Sequence, residues 1–182
     1  MKDLGVVGTV ARFKPVHKGH AAVLEAICER ADRAIIGLGS TNKYDVNNPF
    51  TAQESREMIG IVLKRFNNYT IIEIPDLDHG PRWREQVLKA FGKLDNFVTA
   101  NDYVARLLKH DYNILHTLTI IPGEKRFPVT GTIVRYTMAC FSPWERLVPE
   151  QVADYIKTRK LDERFRREFG QTAIREYAGV AV

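Results

Sequence analysis

Cysteine is scarce in this chain, and long apolar runs are missing from it. Only Cys28 and Cys140 occur among 182 residues. They are too few for a disulfide framework, and neither has another cysteine at metal-ligand spacing. No apolar stretch approaches the roughly 20 residues of a membrane span, and the first residues lack the apolar core of a signal peptide. We therefore expect a reducing, cytoplasmic setting and no membrane partner.

The chain has little charge asymmetry. It carries 27 Lys and Arg against 22 Asp and Glu, and residues 144–182 hold 8 against 7. A nucleic-acid-binding protein usually presents a basic stripe or arm, which this distribution does not indicate. Positive charge gathers instead near residues 12–18 and again at Lys125, Arg126 and Arg135. The pattern predicts a pocket for a polyanionic small molecule and no nucleic-acid partner.

Short apolar runs alternate with helical patterns along the chain, which is typical of a parallel sheet with crossover helices. The strands are predicted at residues 4–11, 33–39, 69–74, 96–99 and 118–121. The helices are predicted at residues 18–31, 51–66, 83–91 and 102–109. Thr51 and Glu54 form a capping box at the start of the second helix. We expect an α/β fold, a Rossmann-like parallel sheet of five to six strands with helices on both faces.

A single domain is expected for residues 1–182, a length that buries roughly 70% of the unfolded surface. Residues 1–140 are predicted to form the Rossmann-like core. Residues 141–182, interrupted by Pro143 and Pro149, are predicted to form a helical C-terminal extension. The final AGVAV has a weak pattern, and two interpretations stay open: a loose tail or a contact with a neighbouring subunit.

The segment VARFKPVHKGH, residues 10–20, joins an apolar strand to the start of a helix. His17 and His20 lie three residues apart at that start, where free backbone N–H groups, the helix dipole and three cations favour an anion. Three interpretations stay open: a zinc pair, two structural histidines that cap a turn, or two imidazole donors for phosphate oxygens. No Glu, Cys or third His accompanies the pair in the HExxH manner, so we expect no protein-bound metal.

A second segment, TGTIVR at residues 130–135, places two hydroxyls and a glycine before another helix. Backbone N–H groups and threonine side chains can surround a phosphate there, while Arg135 binds it by charge. Taken alone, the segment is equally typical of a capped helix without a ligand. The two segments follow the first and fifth predicted strands, and strand ends at one edge of a parallel sheet are common ligand sites.

Together, ARFKPVHKGH and TGTIVR resemble the (H/T)xGH and (S/T)-x-x-x-R motifs of the HxGH nucleotidyltransferase superfamily. The greatest likeness is to archaeal-type nicotinamide mononucleotide (NMN) adenylyltransferases, and it extends through Gly39-Ser40, residues 49–52, Trp83 and residues 143–148. The resemblance implies adenylyl transfer from ATP to NMN, giving NAD and pyrophosphate. It also implies Mg²⁺ held mainly through nucleotide phosphates, and a homo-oligomer of six or fewer subunits.

The same resemblance implies roles for individual residues. His17, His20 and Arg135 would be the catalytic donors to the ATP phosphates. The implied nucleotide-binding residues are Arg12, Phe13, Lys14, Gly39, Ser40, Trp83, Thr130, Gly131 and Thr132. Trp83 would stack on the nicotinamide ring; the alternative is that it anchors a helix to the sheet. The backbone at Gly39 and Ser40 would approach the nucleotide closely; the alternative is a simple turn at the end of the strand. No general base is required, because the attacking phosphate is already an anion.

The chain departs from the archaeal pattern at two places. Asn47 and Asn48 stand where Arg-Asp is usual, and Tyr136 and Thr137 stand in place of two arginines. The cations that can compensate are Lys43, Lys125 and Arg126. Other functions stay open: an adenylyl- or cytidylyltransferase for another phosphorylated small molecule, a non-catalytic nucleotide-binding regulator, and an RNA-binding module.

Overall fold

The computed structural model describes residues 2–179, which fall into two compact units. The first unit comprises the chain up to Arg12, Ala22–Asn42 and Lys64–Arg126. The second comprises Phe13–Ala21, Lys43–Leu63 and the chain from Phe127 onward. The last three residues of the AGVAV tail lie outside the described residues. The single domain with a division near residue 140 stays a prediction.

The first unit contains a parallel sheet of five strands in the order β3-β2-β1-β4-β5. The strands are β1 (Val6–Ala11), β2 (Arg33–Gly39), β3 (Tyr69–Ile74), β4 (Asn96–Thr99) and β5 (Ile114–His116). In the central strand, Gly8 pairs with Ile35 of β2 and with Phe97 of β4. The direction of winding changes between β1 and β4, as in doubly wound folds. The predicted Rossmann-like class is confirmed.

Helices cover both faces of this sheet, as predicted. They are α1 (Lys18–Arg30, in this unit from Ala22 onward), α3 (Gly80–Phe91), α4 (Asp102–Leu108) and α5 (Thr117–Ile120). One face packs with α3 and α4 around a buried cluster of Ile35, Ile74, Val87, Phe91, Leu94, Phe97, Leu108 and Tyr112. Right-handed crossovers place α1 on the opposite face. A side chain on Gly8 would overlap Leu94 and Phe91, so glycine permits this close packing.

The fifth strand was predicted at residues 118–121, and that prediction is wrong. The strand is Ile114–His116, which pairs with Phe97–Thr99 of β4, and the predicted residues lie mainly in the one-turn helix α5. His116 Nδ1 accepts from the backbone N–H of Leu118 at 3.2 Å and so caps that turn. The apolar run continues through both segments, so only pairing with β4 decides which one extends the sheet. The TGTIVR segment therefore does not follow a strand end directly.

The second unit is helical throughout its described regular elements. It contains the start of α1, α2 (Ala52–Val62), α6 (Gly131–Ala139), α7 (Glu150–Thr158) and α8 (Leu161–Tyr177). Helix α6 packs on α8, and α2 packs on α7. The predicted C-terminal helices are thus present. Between residues 2 and 179, no helix is both long and apolar enough to cross a membrane.

The predicted capping box at the start of α2 is confirmed. Thr51 Oγ1 accepts from the Glu54 backbone N–H at 3.1 Å, and Glu54 Oε2 accepts from the Thr51 backbone N–H at 2.8 Å. Arg164 of α8 donates to both oxygens of the Glu54 carboxylate, from Nη1 to Oε1 at 2.6 Å and from Nη2 to Oε2 at 2.7 Å. Burial raises the pKa of Glu54, but the bonds from Arg164 and Thr51 outweigh burial and hold it below its usual value.

Removing the cap is expected to destabilise the protein. Thr51→Ala leaves the Glu54 N–H without its side-chain acceptor and should lower the free energy of unfolding by about 1 kcal/mol. Thr158→Ala, at the exposed end of α7, is the matched control and should change it by less than about 0.5 kcal/mol. Urea denaturation followed by circular dichroism measures both, and equal values for the two variants would contradict the prediction.

Candidate active site

His17 immediately precedes α1, and His20 lies in its first turn. The backbone N–H of His20 donates to His17 Nδ1 at 3.2 Å, and the two rings stack with centroids 3.6 Å apart and an angle of 17°. Because Nδ1 accepts this bond, the proton of neutral His17 lies on Nε2. His17 therefore caps the helix with one nitrogen and has a donor N–H on the other. The capping and phosphate-donor interpretations are compatible.

The loop before α1 holds the two histidines in place. Phe13 is 2% exposed, has a positive φ of 53°, and packs its ring 4.8 Å from the ring of His20. Lys14 is also 2% exposed, and its Nζ donates to the backbone carbonyl of Lys43 at 3.5 Å. A non-glycine residue with positive φ persists only where its surroundings hold it. Both side chains therefore serve the packing of this loop, and their predicted contact with a nucleotide stays a prediction.

Both imidazoles are neutral near neutral pH. Burial, and to a lesser extent the proximity of His20 and Arg135, together lower the pKa of His17 to about 2. Burial also lowers the pKa of His20 to about 4, although the Pro15 carbonyl acts in the opposite direction. A neutral imidazole carries one N–H donor. Neither ring therefore needs to bind a proton before it donates a hydrogen bond, and donation to phosphate oxygens stays a prediction.

The TGTIVR segment begins α6, as predicted. Thr130 is its N-cap residue, and its Oγ1 accepts from the Ile133 backbone N–H at 3.2 Å. The first N–H groups of a helix have no acceptor within the helix, so those of Gly131 and Thr132 suit an anion. Arg135 lies one turn further on and is 4% exposed. The local structure is a capped helix start that carries a buried cation.

The second unit brings the two predicted motifs together. Arg135 Nη1 donates to the backbone carbonyl of Lys14 at 2.9 Å. A Cβ on Gly131 would lie 2.9 Å from that Nη1 and 3.6 Å from the same carbonyl oxygen, and one on Gly19 would lie 3.3 Å from the Phe127 carbonyl oxygen. The start of α1 therefore lies so close to the segment before α6 that a side chain at Gly19 would press on it, whereas a Cβ at Gly131 would press mainly on the Arg135 side chain of its own helix.

Arg135 has three further partners through Nη2. They are Asn47 Oδ1 at 3.2 Å, Thr132 Oγ1 at 3.3 Å and the Tyr177 hydroxyl at 3.3 Å. The sequence did not indicate Tyr177, because it lies 42 residues from Arg135 on another helix. The only available signal was an aromatic residue near the end of an amphipathic helix, which predicts packing and not a polar contact.

The remaining predicted site residues belong to the first unit. Arg12 is exposed directly after β1, Gly39 ends β2, and Ser40 follows it with a positive φ of 53°. Trp83 lies on α3 and packs against the buried cluster on the sheet. This packing supports the helix-anchor alternative for Trp83. The nucleotide contacts of all four residues stay predictions.

Arg126 and Lys125, two of the cations that could compensate, contact neighbouring groups. Arg126 donates through Nη2 to the Leu118 carbonyl at 2.8 Å and through Nε to the Ile121 carbonyl at 3.4 Å, at the end of α5. Lys125 Nζ lies 3.9 Å from Glu29 Oε1, on the exposed surface. The bonds of Arg126 tie its guanidinium to backbone carbonyls, so it does not provide a freely available phosphate ligand.

Comparison with known proteins agrees with these motifs. A family described as cytidylyltransferase-like matches residues 9–136, a span that contains both helix starts. The chain belongs to the cytidylyltransferase-like family. Among its relatives, the nicotinamide-nucleotide adenylyltransferases of Pyrococcus horikoshii and Thermoplasma acidophilum are each 35% identical to it. The first alignment covers 86% of this chain and 85% of the relative, and the second covers 81% and 82%.

A solved structure shows the same fold. It is a bifunctional NMN adenylyltransferase/ADP ribose pyrophosphatase from Francisella tularensis in complex with AMP and a manganese ion, with a TM-score of 0.68 and 16% identity. The alignment covers 98% of this chain and 56% of the Francisella chain, so the present chain spans about half of that protein. At this identity the likeness supports the fold alone.

The neutral histidines of this cytidylyltransferase-like chain predict loss of stability in acid. An unfolded histidine binds a proton near pH 6.5, whereas folded His20 does so only near pH 4 and His17 near pH 2. The unfolded state therefore binds more protons between pH 6.5 and 4, and stability falls as the pH is lowered through this range. The slope is at most about 1.4 kcal/mol per pH unit for each histidine.

Urea denaturation at about pH 7 and about pH 5 measures the effect. His17→Asn keeps an acceptor that can cap α1 but cannot bind a proton, so its stability should fall less between the two pH values than that of the wild type. His110→Asn, at an exposed position, is the control and should retain the wild-type difference. If His17→Asn retains it as well, His17 is not a source of the acid sensitivity.

Proposed function

We propose that this protein transfers the adenylyl group of ATP to nicotinamide mononucleotide, producing NAD and pyrophosphate. The observation that carries the proposal is the meeting of two helix starts in one unit. One contains the stacked pair His17 and His20, and the other contains Arg135, which donates to the Lys14 carbonyl of the first loop at 2.9 Å. Relatives named nicotinamide-nucleotide adenylyltransferase, 35% identical over most of the chain, support the choice of substrates.

The reaction requires positioning and charge stabilisation more than acid-base chemistry. A phosphate oxygen of NMN attacks the α-phosphorus of ATP, and a new P–O bond forms as the bond to the bridging oxygen of the β-phosphate breaks. The electron pair of that bond leaves with pyrophosphate. The attacking phosphate is already ionised, so no residue must remove a proton from it. A site with many donors and few acids suits this step.

In this proposal each residue type has a distinct task. The neutral N–H groups of His17 and His20 donate to phosphate oxygens, where negative charge shifts toward the leaving group. The first-turn N–H groups of α6 hold other phosphate oxygens, with Thr130 fixing the helix start. Arg135 supplies a permanent positive charge, because a guanidinium does not lose its proton in proteins. Arg12, Gly39, Ser40 and Trp83 are assigned to the nucleotides by family resemblance.

We further propose that Mg²⁺ accompanies the triphosphate. Over residues 2–179, no group of three His, Cys, Asp or Glu side chains is arranged to hold a metal ion. The donors at the two helix starts are N–H and hydroxyl groups, which fit phosphate oxygens better than a cation. The donor set therefore fits a metal held by phosphates and water. When bound, the ion neutralises charge on the phosphates.

The acceptor is tested by incubating the protein with ATP, Mg²⁺ and a panel of phosphorylated acceptors while pyrophosphate is measured. NMN should give NAD and pyrophosphate in equal amounts. Pantetheine phosphate and sugar or polyol phosphates are the comparison acceptors, and CTP is the comparison donor. Product from one of these, with none from NMN, would refute the assignment of the acceptor.

A homo-oligomer and a cytoplasmic setting are expected as well. Light scattering after size-exclusion chromatography tests the oligomeric state.

Loss of a histidine donor should reduce catalysis more than binding. His20→Ala removes an imidazole but leaves the backbone N–H that His17 accepts, so the cap of α1 persists. We expect kcat to fall about 10²- to 10³-fold, the usual cost of one preorganised donor. His17→Ala should act in the same direction and also weaken the cap. His110→Ala, at an exposed position, should retain wild-type kcat. ATP binding without turnover in the wild type would favour a regulator instead.

A further inference from the structure

The C-terminal helix reaches the arginine of the second motif. Tyr177, the last residue of α8, is 6% exposed. Its hydroxyl lies 3.3 Å from Arg135 Nη2, and its ring centroid lies 5.5 Å from Arg135 Cζ. Because α8 packs on α6, the Tyr177 side chain lies near the start of α6. The guanidinium therefore contacts both the hydroxyl and the ring of one residue.

Asn47 supports the same guanidinium from a different segment. Its Oδ1 accepts from Arg135 Nη2 at 3.2 Å and from the Tyr177 hydroxyl at 2.8 Å. The loop that carries it is braced by Asp45, whose Oδ1 accepts from the backbone N–H groups of Asn47 at 2.8 Å and Asn48 at 3.0 Å. Arg135, Asn47 and Tyr177 thus form a closed triangle of hydrogen bonds, and Asp45 holds the backbone on which Asn47 lies.

This triangle orients a charge without cancelling it. An arginine side chain is long, and holding it in one rotamer costs conformational entropy that must be overcome before or during ligand binding. The oxygens of Asn47, Thr132 and Tyr177 are neutral, so they fix the plane of the guanidinium and leave its positive charge in place. Pre-organised donors lose less on binding and stabilise the transition state better.

We propose that Tyr177 and Asn47 are positioning residues that hold Arg135 ready for the triphosphate, so that the active site requires the end of the C-terminal helix. The inference rests on the proposed function, because it assumes that Arg135 acts on nucleotide phosphates. The inference also gives Asn47 a role of its own. Asn47 orients Arg135 and does not replace the arginine that is usual at position 47 in the archaeal pattern.

Tyr177→Phe tests the hydroxyl while keeping the ring. With one of its bonds lost, the guanidinium should sample more orientations, and kcat for NAD synthesis should fall about tenfold. KM for NMN and the thermal midpoint should stay near the wild-type values. Tyr155→Phe is the matched control, since it removes a hydroxyl that donates to Glu57 Oε2 at 2.8 Å, and it should retain wild-type kcat.

Coupling to Arg135 distinguishes positioning from general stability. In an Arg135→Lys background the planar fork is gone, so adding Tyr177→Phe should change kcat by less than about twofold. Asn47→Ala should behave in the same way as Tyr177→Phe in both backgrounds, which keeps the test available if one variant folds poorly. The affinity for ATP is measured by calorimetry without an acceptor. Tyr177→Phe should weaken it when residue 135 is arginine and leave it unchanged in the Arg135→Lys background.

Three outcomes would overturn the inference. One is an equal loss of kcat in both backgrounds, and the second is a loss of thermal stability with unchanged kcat. The third is a gain in kcat or ATP affinity, which would mean that the hydroxyl withholds the arginine from the nucleotide. If the wild type makes no NAD from NMN, the proposed function fails instead, and ATP affinity across the same variants still tests the positioning role.

Discussion

The bond from Arg135 to the Lys14 carbonyl, 2.9 Å long, is the contact on which the second unit's site depends. It joins the loop before α1 to the start of α6, two segments that are far apart in the sequence. A backbone carbonyl cannot move without the loop that carries it, so this bond fixes the loop as well as the arginine. The segments also lie close together at Gly19, where a side chain would press against the Phe127 carbonyl.

The structural role of His17 is compatible with its proposed chemical role. Its Nδ1 satisfies the His20 backbone N–H, one of the free donors that every helix start presents. That bond also selects the tautomer, so Nε2 carries the proton. Burial then lowers the pKa of both rings and keeps them neutral. The cap therefore orients the ring and leaves its N–H on Nε2, as the proposed role of His17 as a phosphate donor requires.

The sequence predicts features that depend on local chemistry and misses those that depend on distant partners. The Thr51 capping box, the start of α6 at Thr130 and the alternation of strands and helices all follow from nearby residues. The fifth strand was misplaced because the apolar pattern continues past His116 and only the register with β4 separates strand from helix. Tyr177 was missed for a related reason, since its partners Asn47 and Arg135 lie on other segments and no periodicity marks them.

The protonation states explain why the site combines two kinds of donor. His17 and His20, with pKa values of about 2 and about 4, contribute N–H groups but no charge near neutral pH. Arg135 contributes charge that does not titrate, and this charge is one of the causes of the low pKa of His17. Two charged imidazoles beside a buried guanidinium would repel one another and disfavour the fold. A permanent cation with neutral donors around it avoids that cost and still presents directed hydrogen bonds to an anion. Such a site depends little on pH, which suits a reaction whose nucleophile is already ionised.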